Sequence, residues 1–163
     1  MTEKSDAVAI AEEYYDSSPA IEFYRNVWGG EDIHIGLYRN EDEDIGEASR
    51  RTVATMAQRL SPLDPTSRVI DLGAGFGGSA RYLASNFGCR VTCVNVSDEQ
   101  NALNREMNAE AGLSELIDVV HGSFEEVPQP ARSFDVAWSQ DAILHSADRN
   151  AVLDEVQRLL RPE

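Results

Sequence analysis

The amino-acid sequence predicts an α/β domain in which a parallel sheet carries helices on both faces. From Arg68 onward, short apolar segments alternate with helical segments of about ten to fifteen residues, as in parallel strands joined by right-handed crossovers. The first of these strands ends in a glycine cluster that opens the next helix. The length of 163 residues allows one domain with a core, and not two.

The N-terminal part of the chain is predicted to be helical. Residues 5–27 form a helical region with a break at Ser17-Ser18-Pro19; a turn at Gly29-Gly30 and a short apolar run at 33–38 follow. A further helix covers residues 45–60, and the proline-containing sequence 61–65 ends it. We divide the chain into a helical segment, residues 1–60, and a core, residues 61–163, which act as one functional domain.

The core is predicted to contain four strands and three helices in alternation. The strands are residues 68–72, 90–95, 116–121 and 134–139, and the helices are residues 78–87, 97–111 and 148–160. Ser97 and Asp148 are expected to cap the N-termini of their helices, and Gly112 is expected to end the second one in a left-handed conformation. The strand at 134–139 would have an open edge, which parallel sheets rarely tolerate. The sequence therefore predicts a fragment, or a chain that a partner or a second copy completes.

Composition excludes several classes of protein. The formal charge is −15, from 29 acidic and 14 basic residues, so the chain is expected to repel nucleic acid. The charge indicates either a solubilising surface or a protein adapted to high salt. No apolar run approaches the roughly 18 residues of a membrane span, and no secretory leader is recognisable, which predicts a cytoplasmic protein. Cys89 and Cys93 are expected to be reduced thiols, and no metal site is predicted.

The glycine cluster predicts a nucleotide-type ligand. Its sequence is Gly73-Ala74-Gly75-Phe76-Gly77-Gly78, in which the third glycine, Gly77, comes one residue before the last glycine position of a dinucleotide-binding loop, which Gly78 occupies. Gly73 suits a tight turn, Gly75 a close approach of the backbone to the ligand, and Gly77-Gly78 close helix–strand packing. Asp71 places a carboxylate near the strand end, which fits a ligand with an ammonium group better than a pyrophosphate. Together these features favour S-adenosylmethionine over a nicotinamide coenzyme.

The ends of the second and third strands supply further ligand-binding candidates. Asn95, followed by Val96, ends the second strand, where a ribose-binding group is expected; a role as a turn former is the alternative. Gln100 follows at the start of the next helix. After the third strand, Ser123 and Phe124 are candidates for the adenine edge and face, although Phe124 also suits a role as a loop anchor.

Three stretches carry a more specific resemblance: WGGEDIHIGLY (28–38), VNVSDEQN (94–101) and FDVAWSQDAILHSADR (134–149). They resemble the corresponding parts of sarcosine/dimethylglycine N-methyltransferases, and the likeness extends over nearly the whole chain. The resemblance implies a three-layer Rossmann-like class I methyltransferase fold with an N-terminal helical cap and with the later strands missing. It also implies transfer of methyl groups from S-adenosylmethionine to sarcosine and dimethylglycine, which gives the osmolyte betaine.

The resemblance and the fold suggest roles for residues around the strand ends. Gln140 is assigned to the sulfonium or methionine region of the cofactor, and Asp141 either to the acceptor amine or to a helix N-cap. His145, expected on the same helical face as Asp141, is a candidate proton acceptor, with side-chain packing as the alternative. By resemblance, the cap includes Tyr14, Tyr15, Trp28 and His34, of which Tyr15 is expected to contact the methionine end and Trp28 either the cofactor or the core.

Two other functions and one other acceptor are alternatives to this interpretation of the sequence. A nicotinamide-dependent oxidoreductase is disfavoured by the glycine spacing and by Asp71. A non-catalytic fragment that binds S-adenosylmethionine, with or without a partner chain at the open sheet edge, is an alternative. Another small amine that carries an anionic group, such as phosphoethanolamine, is an alternative acceptor.

The acidic composition generates a first prediction. If the charge is an adaptation to salt, raising the salt concentration to about molar will raise the melting temperature, because screening removes the self-repulsion of the folded chain. Thermal unfolding followed by circular dichroism at several salt concentrations measures this. A melting temperature that does not respond to molar salt contradicts the adaptation and leaves the solubilising surface.

Overall fold

A computed structural model describes residues 6–28, 31–60 and 62–162 of the chain. The predicted turn at Gly29-Gly30 lies outside the described residues, as does Ser61 in the predicted helix stop. The described part contains a parallel sheet with helices on both faces, so the predicted α/β class is confirmed.

The sheet has four parallel strands in the order β3-β2-β1-β4. Their bounds are β1 Arg68–Leu72, β2 Arg90–Asn95, β3 Ile117–His121 and β4 Val136–Trp138. The order reverses direction between β1 and β4, because the chain first proceeds from β1 through β2 to β3 and then crosses back. In open α/β sheets ligands bind at the carboxyl ends of the strands beside such a reversal. The fold thus places the candidate site at the carboxyl ends of β1 and β4.

The helices agree closely with the sequence pattern. They are α1 Asp6–Tyr15, α2 Ser18–Asn26, α3 Ile45–Ala57, α4 Gly78–Phe87, α5 Asp98–Glu110 and α6 Arg149–Leu159. The predicted break at residues 17–19 is confirmed only in part: α1 and α2 are separated at Asp16 and Ser17, and Ser18 and Pro19 already belong to α2. The α3 helix ends before the predicted position 60, because the amides of Arg59 and Leu60 bond to carbonyls three residues back and tighten the chain into turns.

The predicted helix ends are confirmed at three positions. Ser97 accepts a hydrogen bond from the Gln100 amide at 3.0 Å, and Asp148 accepts one from the Asn150 amide at 2.9 Å. Gly112 follows α5 with a φ of 69°, the left-handed conformation that glycine adopts most readily. Local side-chain chemistry therefore determines where these helices begin and end.

The fourth strand is shorter than the predicted 134–139. The Asp135 amide donates to the Arg68 carbonyl, and Phe134 forms only an isolated parallel bridge with Leu160. At the other end, the Ser139 hydroxyl donates to the Leu72 carbonyl, which draws the chain across the end of β1. Among the described residues, β4 pairs with β1 alone, so it is the edge strand, as predicted.

The core occupies both faces of the sheet. On one face, side chains of β1 and β2 such as Val69 and Val91 pack against Leu83 of α4 and Val53 of α3. On the other, a second cluster contains Ile70, Leu72, Val94, Val127, Phe134 and Leu159. Cys89 and Cys93 are free thiols, as predicted, and both are fully buried, which raises the pKa of each. None of the described helices combines the length and the apolarity that crossing a membrane requires.

The close approach at the start of α4 differs from the predicted helix–strand contact. A Cβ atom at Gly77 would lie 2.2 Å from the Asn104 carboxamide oxygen of α5, and one at Gly78 would lie 2.0 Å from Asp32 Oδ1. The two glycines therefore allow α4 to approach α5 and the segment before α3, and not a strand. The interpretation of Gly77-Gly78 as a close-packing pair is right, and the predicted partner is wrong.

Arg81 joins α4 to α5 and to the segment before α3. Its guanidinium, 6% exposed, donates to the Phe76 carbonyl at 2.7 Å, to Asn108 Oδ1 at 3.1 Å and to Glu31 Oε2 at 3.2 Å. Because the Asn108 side chain is buried as well, removal of the guanidinium would leave buried oxygen atoms without a donor. This side chain holds together the elements that surround the glycine loop.

We expect Arg81→Met to lower the free energy of unfolding by about 3 kcal/mol, because it leaves buried acceptors unsatisfied. Arg105→Met is the matched control: Arg105 is exposed and donates to the Val119 carbonyl, and its loss should cost less than about 1 kcal/mol. Urea unfolding of both variants measures the difference. Equal losses would contradict a special role for Arg81.

Candidate functional site

A pocket opens at the carboxyl ends of β1, β2 and β4, beneath α1 and α2. Most of the site residues predicted from the sequence line it. They are Tyr15, Gly73, Gly75, Asn95, Val96, Gln100, Ser123, Phe124, Gln140, Asp141 and His145. Residues that lie far apart in the sequence meet here because parallel strands end at the same edge of the sheet.

Three predicted site residues lie outside the lining of this pocket: Trp28, Asp71 and Ala74. Trp28 packs against the rings of Phe23 and Tyr24, and its indole N–H donates to the His34 carbonyl at 3.3 Å. Trp28 thus lies outside both core clusters, so the predicted core packing is wrong, and its contact with the cofactor stays a prediction.

Five lining residues were missed by the sequence analysis as site residues, and His34 was assigned only to the cap. The five are Val8, Ala11, Tyr24, Ile33 and Ala142. Apart from Ala142, which follows Gln140 and Asp141 closely, they belong to the N-terminal segment. Nothing in their local pattern distinguishes them from core positions, because the contact with the strand ends exists only after folding. Tyr24 was predicted as an apolar helix position, and its ring packs against Tyr15.

The glycine loop approaches the segment after β4 very closely. Gly73 has a φ of 81°, and a Cβ atom there would lie 2.2 Å from the Ala142 Cβ. The Gly73 and Ala74 amides both donate to the Val94 carbonyl, which ties the loop to β2. The tight turn predicted at Gly73 is confirmed, and it brings the ends of β1, β2 and β4 together.

Asp71 is a buried carboxyl group in the last part of β1. It is 3% exposed, and burial, together with the nearby Asp32 carboxyl, raises its pKa to about 7. The Asp32 pKa is raised as well, chiefly by its own burial. Ionising both carboxyls at low dielectric beneath the glycine loop therefore costs free energy, which the nearby Arg81 and Arg50 offset in part for Asp32.

Asp141 adopts an unusual backbone conformation at the end of β4. Its φ is 54°, a left-handed value, and its carboxylate accepts a hydrogen bond from the Ile35 amide at 2.9 Å. The N-cap position of the next helical turn belongs to Ala142, so the helix-start alternative for Asp141 is wrong. The expectation of a shared helical face with His145 is also wrong, because only a 3₁₀ turn, Ile143–His145, follows. Asp141 and His145 nevertheless line the same pocket.

A hydrogen bond between Tyr15 and His145 spans the pocket. The Tyr15 hydroxyl lies 3.0 Å from His145 Nε2, and the rings meet edge to face with centroids 5.7 Å apart. Burial raises the Tyr15 pKa, which keeps the hydroxyl protonated at neutral pH. The next residue, Asp16, accepts a hydrogen bond from the Ser97 hydroxyl at 2.6 Å. Hydrogen bonds thus join the C-terminal end of α1 to the segment after β4 and to the segment after β2.

Neutral amides line the β2 side of the pocket. Asn95 Nδ2 donates to Gln100 Oε1 at 3.0 Å, and Asn101 Nδ2 donates to the Asn95 carbonyl at 3.1 Å. Gln100 Nε2 is buried and has no protein partner among the described residues. These amide side chains carry no charge, and Gln100 Nε2 is free to donate a hydrogen bond, which suits the hydroxyl groups of a ligand.

The loop after β3 places an aromatic face beside these amides. The half-buried Phe124 lines the pocket and also packs against the second core cluster. Its position is therefore compatible both with a contact to the adenine face and with a role as a loop anchor. The Ser123 hydroxyl accepts a hydrogen bond from the Glu125 amide at 3.1 Å, which fixes the turn. No group of three or more His, Cys, Asp or Glu side chains suited to a metal ion occurs in the described part of the chain.

Comparison with known proteins gives a consistent result. Residues 70–163 match the family model described as a methyltransferase domain. The chain is 52% identical over 155 residues to a sarcosine/dimethylglycine N-methyltransferase of Halorhodospira halochloris, covering 95% of this chain and 56% of that protein. It is also 52% identical over 159 residues to a glycine/sarcosine/dimethylglycine N-methyltransferase of Actinopolyspora halophila, covering 98% of this chain and 28% of that protein. The resemblance seen in the sequence is confirmed.

Solved structures agree with the fold. A sarcosine dimethylglycine methyltransferase structure from Galdieria sulphuraria superposes with a TM-score of 0.84 at 45% identity, covering 89% of this chain and 57% of that one. A [4+2]-cyclase, SpnF, gives a TM-score of 0.85 at 27% identity, with 96% and 57% covered. The fold therefore accommodates different reactions. The chain spans between 28% and 57% of the length of these relatives.

The buried Asp71 carboxyl generates a prediction about stability. Its pKa is higher in the folded chain, about 7, than the ordinary value of 3.8, so the folded state binds more protons between these values. Stability should therefore fall as pH rises from about 4 to about 7, and Asp71→Asn should remove this loss, worth a few kcal/mol. Urea unfolding at pH 4.5 and 8 measures it. Asp154→Asn, at an exposed position of α6, is the control.

The predicted fall is the contribution of Asp71 alone, and the comparison between variant and parent isolates it because His34 acts in the opposite direction. Burial lowers its pKa to about 4, so it adds stability as pH rises from about 4 towards its ordinary value of 6.5. This contribution is common to the parent and to Asp71→Asn, and it cancels in the difference. An identical pH dependence in both proteins would contradict the assignment of a raised pKa to Asp71.

Proposed function

We propose that this chain, which belongs to the methyltransferase domain family, binds S-adenosylmethionine. We further propose that it forms the cofactor-binding part of an N-methyltransferase for small amino-acid amines such as sarcosine and dimethylglycine. The observation that carries this proposal is the convergence of the glycine loop, the Asn95–Gln100 amides and the Ser123-Phe124 loop on one pocket. The substrate class is supported by the identity to the sarcosine/dimethylglycine enzymes. We assign the covering role to residues 1–60 and the binding core to residues 61–163.

The charge of the pocket supports S-adenosylmethionine over a nicotinamide coenzyme. No Arg or Lys side chain lines the pocket within the described residues, so no cation is available to balance a pyrophosphate. The buried Asp71 carboxyl instead lies beneath the loop, and a cationic ligand would offset the cost of its ionisation. S-adenosylmethionine carries a sulfonium and an ammonium group and no phosphate.

Buried polar atoms without partners fit the remaining parts of this ligand. We assign the Asn95 carboxamide oxygen and the unpartnered Gln100 Nε2 to the two ribose hydroxyls, one as acceptor and one as donor. We assign Phe124 to the adenine face and Ser123 to its edge. Gly73 and Gly75, at which the backbone borders the pocket directly, are assigned to the methionine end, together with Gln140.

The Tyr15–His145 pair lies where an acceptor amine would enter. S-adenosylmethionine, when bound, would supply an electrophilic methyl group for displacement by the acceptor amine, with S-adenosylhomocysteine as the leaving group. The protein contributes mainly alignment and exclusion of water, since such a displacement needs no general base in its transition state. His145 is assigned to accept the proton that the incoming amine must lose, and the bond to Tyr15 orients its ring. Asp141 is assigned to the acceptor's cationic amine.

Titration calorimetry of the purified chain tests the cofactor assignment. We expect S-adenosylmethionine and S-adenosylhomocysteine to bind with micromolar affinity, and NAD not to bind. Asn95→Leu should weaken both adenosyl ligands about tenfold, because one buried hydrogen bond is lost. Asn86→Leu, at an exposed position of α4, should leave binding unchanged.

Two outcomes would contradict the proposal. The first is tighter binding of NAD than of S-adenosylmethionine. The second is an absence of adenosyl-ligand binding by a chain whose circular dichroism shows it to be folded. Methyl transfer to dimethylglycine, measured with the same chain, tests the acceptor assignment separately.

A further inference from the structure

Three buried polar side chains are in hydrogen-bond contact in series, from the segment before α3 to the pocket. His34 Nε2 lies 3.3 Å from the Ser79 hydroxyl, and that hydroxyl donates to Gln140 Oε1 at 3.5 Å. The three residues are 6%, 2% and 7% exposed. They come from the segment before α3, from α4 and from the end of β4, so only the folded chain brings them together.

We assign the direction of these hydrogen bonds from a count of protons. A serine hydroxyl has one proton, and in this assignment Gln140 Oε1 accepts it. The contact between Ser79 and His34 then runs the other way, with the proton on His34 Nε2 donated to the hydroxyl oxygen. Burial lowers the His34 pKa to about 4, so the ring is neutral at pH 7 and carries a single proton, which the assignment places on Nε2.

The position of His34 is fixed by α3. The Ser49 hydroxyl of α3 donates to the His34 carbonyl at 2.8 Å, and the next amide, that of Ile35, donates to Asp141 at 2.9 Å. The ring lies 3.8 Å from the Asp141 carboxylate at its Nδ1 atom, which has no hydrogen-bond partner in the described residues. The ring is therefore held by its backbone and by Ser79.

The consequence falls on the Gln140 carboxamide. Because Ser79 occupies its oxygen, the group presents its Nε2 hydrogens, and that nitrogen is buried without a protein partner in the described part of the chain. Gln140 and His34 both line the pocket. A ligand that meets Gln140 must consequently offer an acceptor, and an unsatisfied buried donor costs about 1–3 kcal/mol until it does so.

We propose that His34 and Ser79 are positioning residues that fix the Gln140 side chain as a hydrogen-bond donor to a ligand carboxylate. This inference rests on the proposed function. Two sources can supply the carboxylate: the methionine end of the cofactor and the amino-acid acceptor. This relay of hydrogen bonds, from His34 through Ser79 to Gln140, gives the pocket a preference for a ligand that accepts a hydrogen bond. The opposite orientation of the Gln140 amide would place its oxygen against the bound carboxylate and leave the Ser79 proton without its acceptor.

Calorimetric titration of this chain with S-adenosylhomocysteine and with 5′-methylthioadenosine, which lacks the amino-acid end, tests the relay. Ser79→Ala should weaken S-adenosylhomocysteine about tenfold and leave 5′-methylthioadenosine unchanged, if the carboxylate is that of the cofactor. Gln140→Glu, which has the same shape, should weaken it more strongly, because a carboxylate replaces the donor. Ser79→Cys provides the same comparison with a weaker donor of similar volume, should Ser79→Ala not fold.

A matched pair at His34 separates positioning from packing. His34→Gln keeps an N–H donor near the Nε2 position, and its affinity should stay within about twofold of the parent chain. His34→Met fills a similar volume without a donor and should lose about as much as Ser79→Ala. A purely structural role would make both variants alike.

The second source of the carboxylate has its own signature. Affinity for S-adenosylhomocysteine would then be the same in Ser79→Ala and in the parent, whereas dimethylglycine, titrated into the S-adenosylhomocysteine complex, would bind about tenfold more weakly. Either pattern supports the relay. Unchanged binding of both ligands in Ser79→Ala and Gln140→Glu, while the parent chain binds them, overturns the relay alone. Failure of the folded parent chain to bind either adenosine ligand overturns the proposed function, and the relay's ligand role with it.

Discussion

The close contact between the glycine loop and the segment after β4 is the constraint on which the site depends. Gly73 turns with a positive φ, and the space that a Cβ atom would need is occupied by the Ala142 side chain. This contact is possible only because β1 lies between β2 and β4, so that the chain after β4 crosses the end of β1. Gln140, Asp141 and His145 are carried into the pocket by that crossing.

The N-terminal segment completes the site through polar contacts at its boundaries. Asp16 meets the start of α5, and Tyr15 meets His145. The segment before α3 adds the hydrogen bond between the Ile35 amide and Asp141. Each of these bonds joins the N-terminal segment to a strand end or to the helix that follows it. Hydrogen bonds therefore join the N-terminal side of the pocket to the side formed by the strand ends.

The site also concentrates features that oppose stability. Asp71 and Asp32 are buried near each other, Asp141 has a left-handed backbone, and the amide nitrogens of Gln100 and Gln140 lack protein partners. Elsewhere in the described chain, the helix caps and the Arg81 side chain have hydrogen-bond partners, although Asn104 Nδ2 and Trp138 Nε1 are buried without a protein partner there. Costs that lie in or beside a pocket are common in binding sites, because a ligand can offset them.

The sequence by itself determined the strands, most helix ends and the ligand-binding loop, because each depends on local chemistry. The glycine loop, the Ser97 and Asp148 caps and the alternation of strands with helices are all short-range signals, and they also located Asn95, Ser123 and Gln140 at strand ends. Only the tertiary structure decided which side chains meet. Asp141 bonds to the Ile35 amide instead of capping a helix, Gly77 packs against α5 and not a strand, and Tyr24 and His34 reach the pocket. These contacts join residues distant in the chain, and no local pattern encodes a distance that is set by the packing of the whole sheet.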